Sequence, residues 1–155
     1  QHMHMLPPRA AHMRPSLVGE AVSVDAAVDV QLNGVDFTLN GRAYDGGKTP
    51  FAAYALNDVV ELRLASTHTT NHPYHQHVHA FQVVSLDGDA ERALDGASLG
   101  VGMWRDTVPV DEDSRLVVRF RPTRHAGRAL AHCHVVTHAD RGMMSFANVT
   151  GSSAP

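Results

Sequence analysis

Two short windows of the chain are dense in metal-ligating side chains. The first is His72-Pro73-Tyr74-His75-Gln76-His77-Val78-His79. The second is His132-Cys133-His134, followed by His138 and by Gly142-Met143-Met144. Together they hold seven of the twelve histidines and the single cysteine. Imidazole and thiolate are the ligands that softer transition metals prefer. Alternate residues of a strand point to opposite faces, so His132 and His134 share one face and Cys133 takes the other. His75 and His77 likewise share a face. His72 lies an odd number of residues away, beyond Pro73, and is free to point the other way. The pattern predicts two donor sets back to back: His72, Cys133, His138 and Met143 in one, and His75, His77, His132 and His134 in the other. Two imidazoles, a thiolate and a weak thioether are the ligands of a blue-copper site. Cys133, His138 and Met143 follow at five-residue steps. One loop at a strand end can therefore wrap three ligands around one ion, with His72 tying it to another strand. The second set offers only nitrogen, which suits copper near dioxygen.

Other chemistries explain less. Structural zinc usually takes more thiolates, and catalytic zinc takes three ligands and a water. A cysteine–histidine nucleophile built from Cys133 and a neighbouring imidazole leaves Met143 and the histidines of the first window without a role. Isolated His68 and His125 read as surface or satisfied core residues.

The elements that must position these groups read as short strands. Val22, Val24, Val28, Val30 and Leu32 alternate up to Asn33-Gly34, and Phe37 and Leu39 lead to Asn40-Gly41. Further strands are expected at Val59 to Ala65, Phe81 to Leu86, Thr107 to Val110, Leu116 to Phe120, Leu130 to His134 and Phe146 to Val149. Glycine, asparagine, aspartate and proline separate them, as in an all-β sandwich or barrel. No ten-residue stretch keeps a helical period. Residues 1–20 carry Pro7, Pro8 and Pro15 and no alternation. They are expected to be a tail or interdomain linker, leaving 21–155 as one domain. The chain, with 155 residues, 43% hydrophobic and 19% charged, has the size and composition of one globular domain. One cysteine allows no internal disulfide. A net charge of −3 without a basic run argues against nucleic acid and anionic membrane as partners. No apolar run reaches the ~18 residues needed to span a bilayer, and no secretory signal is visible.

The two windows resemble the copper-binding motifs of multicopper oxidases such as laccases. His72-Pro-Tyr-His75-Gln-His77-Val-His79 is similar to the family's H-P-x-H-x-H-G-H. His132-Cys133-His134-x-x-x-His138-x-x-x-Gly142-Met143 is similar to H-C-H-x-x-x-H-x-x-x-G-M. Trp104-Arg105-Asp106-Thr107-Val108 resembles W-x-D-T-V, and Phe37-Thr-Leu-Asn40-Gly41-Arg42 resembles F-T-I-N-G-R. The likeness covers roughly residues 37 to 150. It implies a Greek-key β-sandwich or barrel of the cupredoxin type, as in the C-terminal domain of such enzymes.

Position by position, the resemblance implies type 1 copper on His72, Cys133 and His138 with Met143 axial. It implies type 2 copper on His75 and a type 3 pair on His77, His132 and His134. Electrons would enter at type 1 from a reductant such as a phenol or Cu(I). They would leave through Cys133 into His132 and His134, toward a cluster that reduces dioxygen to water. Gln76 and Val78 depart from the family's usual Leu and Gly, and Asp106 is a candidate for orienting a ligand. In the family the cluster takes eight histidines, four from each of two domains, and the motifs here supply four. A second cupredoxin domain or a homo-oligomer is therefore expected to complete it. The family also implies a periplasmic or secreted location. A standalone blue-copper carrier would need only the type 1 set, and a copper nitrite reductase fits the His-Cys-His motif less well. A copper-resistance cuprous oxidase would give His2, Met3, His4, Met5, His12 and Met13 a Cu(I)-binding role. A linker or cloning residues explain that tail more simply.

Overall fold

The computed structural model describes residues 14–19, 21–67, 70–87, 100–112 and 114–151. The histidine–methionine tail at 1–13 and His68 lie outside the described residues. Two sheets face each other across one core, as the alternating segments predict. The first holds β1 (Ala26–Asn33), β2 (Thr38–Leu39), β4 (Val60–Ser66), β6 (Phe81–Asp87), β7 (Trp104–Arg105) and β9 (Arg115–Phe120), in the order β2-β1-β4-β9-β6-β7. The second holds β3 (Ala52–Ala55), β5 (Tyr74–Gln76), β8 (Thr107–Val108), β10 (Gly127–Cys133) and β11 (Met144–Thr150), in the order β3-β11-β10-β5-β8. Strands β1 and β4 run parallel, as do β3 and β11, and the other neighbours are antiparallel. Consecutive strands thus cross between sheets rather than forming a simple meander.

Period-two burial builds the core. Val30, Leu32, Leu62, Leu64, Leu116, Val118 and Phe120 point inward from the first sheet. Tyr74, Ala129, Ala131, Cys133, Ala147 and Val149 meet them from the second. Burying such side chains supplies most of the driving force for folding. One buried carboxylate lies on the opposite face of β4 from Leu62 and Leu64. Glu61 takes Arg119 Nη2 and Nε at 2.9 Å. Arg119 Nη1 also reaches the carbonyls of Leu17 and Gly19, both at 3.2 Å.

The structure departs from expectation in four places, one of them strand β3, where no strand was expected. The first strand begins at Ala26 rather than Val22. A short helix α1 (Val136–Asp140) follows β10 where only a loop was expected. Residues 14–19, expected as the end of a tail, lie against the domain. Leu17 is buried, and its N–H donates to Gln82 Oε1 at 2.6 Å.

Candidate metal centre

Strand β10 organises both donor sets. Its burial alternates, with Ala129, Ala131 and Cys133 buried and Leu130 and His132 half-buried. In the antiparallel ladder with β5, Cys133 pairs with Tyr74 and His132 with His75. Cross-strand partners share a face, so Cys133 enters the core while His132 and His75 stand together on the outside.

On the inner side, Cys133 Sγ lies 3.8 Å from His72 Nδ1 and 3.8 Å from His138 Nδ1, and the two imidazole nitrogens are 3.2 Å apart. First-row ions hold imidazole nitrogen at about 2.0 Å and thiolate at about 2.3 Å, so these three donors enclose a point that one ion can occupy. The donor chemistry, one thiolate and two imidazoles, fits copper. His72 is fully buried, and Thr70 Oγ1 is 3.2 Å from its Nε2. His138 rides on α1 and is half-buried, with the Phe37 ring 5.1 Å from its own. Met143 is fully buried, and its carbonyl accepts Cys133 N–H at 3.0 Å. Gly142 precedes it at φ +121, where a Cβ would lie 2.9 Å from Ala43 Cβ and 3.3 Å from the Phe37 carbonyl. Only glycine lets the ligand loop pass under segment 37–44, and Tyr44 N–H fastens that segment to the Gly142 carbonyl at 3.0 Å.

On the outer side, the metal-binding atoms of His75, His77 and His132 lie within 4.8 Å of one another. His77 Nε2 and His132 Nε2 are 3.1 Å apart. The His134 ring stands 5.2 Å from that of His75 and 5.9 Å from that of His132, exposed just past the end of β10. Carbonyl acceptors select the ring tautomers. His75 Nδ1 donates to the Asp106 carbonyl at 3.0 Å, with Thr107 Oγ1 2.8 Å away. His132 Nδ1 donates to the Cys133 carbonyl at 2.9 Å. Both rings keep Nε2 free to accept a metal.

Burial pushes the Cys133 thiol up, so a metal must displace a proton there. Burial, opposed by the Asp106 hydrogen bond and reinforced by neighbouring imidazoles, holds His75 below the usual histidine range. His77 is lowered by burial and by His132 and His134. Neutral imidazole is the metal-binding form.

The structure brings together His72, Cys133 and His138, with Met143 buried at the same strand end, and gathers His75, His77 and His132 beside His134. Met144 pairs with His132 across β10 and β11, so it belongs to the outer face. The departure at Gln76 is accommodated: buried Gln76 accepts from Tyr74 Oη at 3.2 Å and donates to the His79 carbonyl at 2.5 Å. Val78 takes φ +62. Sequence reasoning missed Thr107, Thr70 and Phe37 as partners of ligand rings. Asp106 orients His75 through its backbone carbonyl, while its carboxylate accepts from Thr107 Oγ1 at 3.1 Å. The T of the W-x-D-T-V likeness and the F of the F-T-I-N-G-R likeness were the available signals.

The multicopper oxidase family model matches residues 19–152. An iron transport multicopper oxidase of Kluyveromyces lactis is 28% identical over 162 residues, covering 79% of this chain and 25% of that protein. A laccase of Pycnoporus cinnabarinus is 26% identical, covering 99% and 32%. Among solved structures, a multicopper oxidase from Pediococcus acidilactici superposes with a TM-score of 0.73 at 22% identity, covering 100% of this chain and 32% of that one. A McoA multicopper oxidase variant from Aquifex aeolicus gives 0.65 at 27% identity, covering 81% and 29%. The chain spans about a quarter to a third of the length of these relatives. With a matching family model over most of its length and both donor sets in place, the chain belongs to the multicopper oxidase family and has that family's cupredoxin fold.

Proposed function

We propose that residues 21–155, with the segment at 14–19 packed against them, form the C-terminal cupredoxin domain of a laccase-like oxidase, and that this domain carries the type 1 copper and half of the oxygen-reducing cluster. One observation carries the reading: successive residues of one strand, His132 and Cys133, enter two donor sets on opposite faces of the same sheet. A standalone electron carrier has no use for the outer set. Copper, when bound, would supply one-electron acceptance from a phenol or Cu(I) at the inner set and reduction of dioxygen to water at a completed outer set.

The chain's own groups have definable tasks. His72, Cys133 and His138, with Met143 as a fourth donor, would hold type 1 copper in a core that excludes water. His138 is the ligand nearest solvent, so a reductant docks against its ring. His75 would hold type 2 copper, and His77, His132 and His134 would hold the type 3 pair. Thr107 and the Asp106 carbonyl fix the His75 ring, and the Cys133 carbonyl fixes the His132 ring. The second four imidazoles come from another cupredoxin domain or another copy. A periplasmic or secreted location belongs to the same reading, and no helix among the described residues is long and apolar enough to cross a membrane.

The test is the absorption and EPR spectrum of the copper-loaded protein beside Cys133→Ser. Wild type is expected to be intensely blue, because a Cu(II)–thiolate bond forms at Cys133. A variant that keeps the band sinks the assignment.

A further inference from the structure

A groove of about 1010 Å³ lies between the strap at Arg14–Leu17, the turn at 121–125 after β9, and Trp104 on β7. Its size falls at the upper end of small-molecule sites, about 300–1,000 Å³. Neither donor set supplies a proposed ligand to it. Arg14, Arg121, Arg124, His79 and His125 all line it, in a chain whose net charge is −3. Among the described residues Asp25 is the only carboxylate in the lining, and its Oδ2 already accepts Val59 N–H at 2.7 Å.

The three guanidiniums have no ion-pair partner among the described residues. Two of them are held in place by uncharged groups. Arg14 lies over the Trp104 ring at 5.2 Å, and Arg121 Nη1 donates to the Asn57 carbonyl at 2.7 Å. His79 adds an unpartnered polar atom to the same groove. It is only 8% exposed, its ring stacks on Phe120 at 6.2 Å, and its Nε2 has no hydrogen-bond partner among the described residues. A buried polar atom left without a partner is costly. His125, on the facing turn, is held at φ +63, a conformation that non-glycine residues rarely adopt and that clusters at ligand sites.

Leu17, Val22, Val78 and Trp104 supply apolar wall between the charged groups. We propose that this groove binds a small organic carboxylate, with the anionic end between the arginines and His79 and an apolar or aromatic body against Trp104. Charge-assisted hydrogen bonds from guanidinium to carboxylate are among the strongest available to a ligand. The chain's own segment before Arg14 is a poor occupant, since it carries His2, His4, Arg9 and His12 and no acidic side chain. The site is independent of the copper assignment, although His79 follows His77 by only two residues.

Trp104 is the single tryptophan, so intrinsic fluorescence reads this groove directly. The experiment titrates the full chain with benzoate, with neutral benzamide and with sulfate, in wild type, Arg124→Glu and His79→Gln. Benzoate is expected to give a saturable change with a Kd on the order of 1 mM or tighter. Benzamide and sulfate should each bind at least about tenfold more weakly, because one lacks the charge and the other the apolar body. Exposed Arg124→Glu, which leaves the core untouched, should weaken benzoate by about tenfold or more. His79→Gln should weaken it as well. The proposal is overturned if benzoate gives no saturable change, if benzamide or sulfate binds as well as benzoate, or if Arg124→Glu leaves the affinity unchanged.

Discussion

Cys133 and Met143 are fully buried, whereas His132 and Met144 are half-buried partners on the opposite face. That alternation puts Met143, not Met144, on the face of the thiolate. A weak axial thioether tunes a blue-copper site's potential. Met143→Leu is expected to keep copper and colour while raising the reduction potential, and Met144→Leu should shift it little; redox titration of both variants checks this. If the Met144 variant carries the larger shift, the axial ligand is misassigned. Val78 raises a separate question at the same scale. A β-branched residue at φ +62 is strained, by about 1–2 kcal/mol, and at 62% exposure its side chain buries little. Glycine removes the strain but frees the unfolded chain, which offsets roughly 0.5–1 kcal/mol. Val78→Gly should therefore stabilise the domain by up to about 1 kcal/mol, seen as a higher urea midpoint with an unchanged slope. A lower midpoint would show that the turn gains from valine in a way strain alone does not capture.

Among the elements, the strands were the legible part. Leu62 and Leu64 are buried and Arg63 is exposed, a period-two pattern that needs no tertiary information. Strand β3 was not legible because Ala52-Ala-Tyr-Ala55 has too little contrast between faces. Helix α1 has five residues, no side-chain N-cap and no buried residue, so neither period nor cap announced it. The two donor clusters were readable because a metal site demands particular donors in a particular order, and the structure brings those donors together. Their supports were not, because Thr70, Thr107 and Phe37 act through contacts that only the folded chain creates. Gly142 joins the two levels. Its φ of +121 and the 2.9 Å approach to Ala43 leave no room for a side chain, so Gly142→Ala must move either segment 37–44 or the loop carrying His138 and Met143. Local strain of this kind costs about 1–3 kcal/mol. The expected outcome is a lower unfolding midpoint together with faster loss of copper to a chelator. Unfolding at the wild-type midpoint, with copper retained as before, would show that the loop does not depend on this contact.

At the scale of the whole molecule, the proposed inner site needs no donor from outside the chain, whereas the proposed cluster does. His77 and His134 are exposed, and His75 and His132 are half-buried beside them. Four imidazoles therefore stand at the surface, held below their usual basicity at His75 and His77, ready for metal but open to water. A facing surface with four more would close the site. A two-fold contact between copies places the same patch on both sides, so a symmetric dimer could supply them, as could another cupredoxin domain in a longer chain. Copper counting joined to molar mass in solution separates the outcomes for this chain. A shared two-fold cluster predicts five coppers per dimer, one inner site in each chain and three between them. It also predicts that His75→Ala abolishes reduction of dioxygen while leaving the blue colour, and that removing residues 1–13 changes neither. A monomer is expected to hold one tightly bound copper, to be blue, and to reduce dioxygen negligibly. Full reduction of dioxygen to water by a stable monomer would show that the outer four histidines suffice without an opposing set.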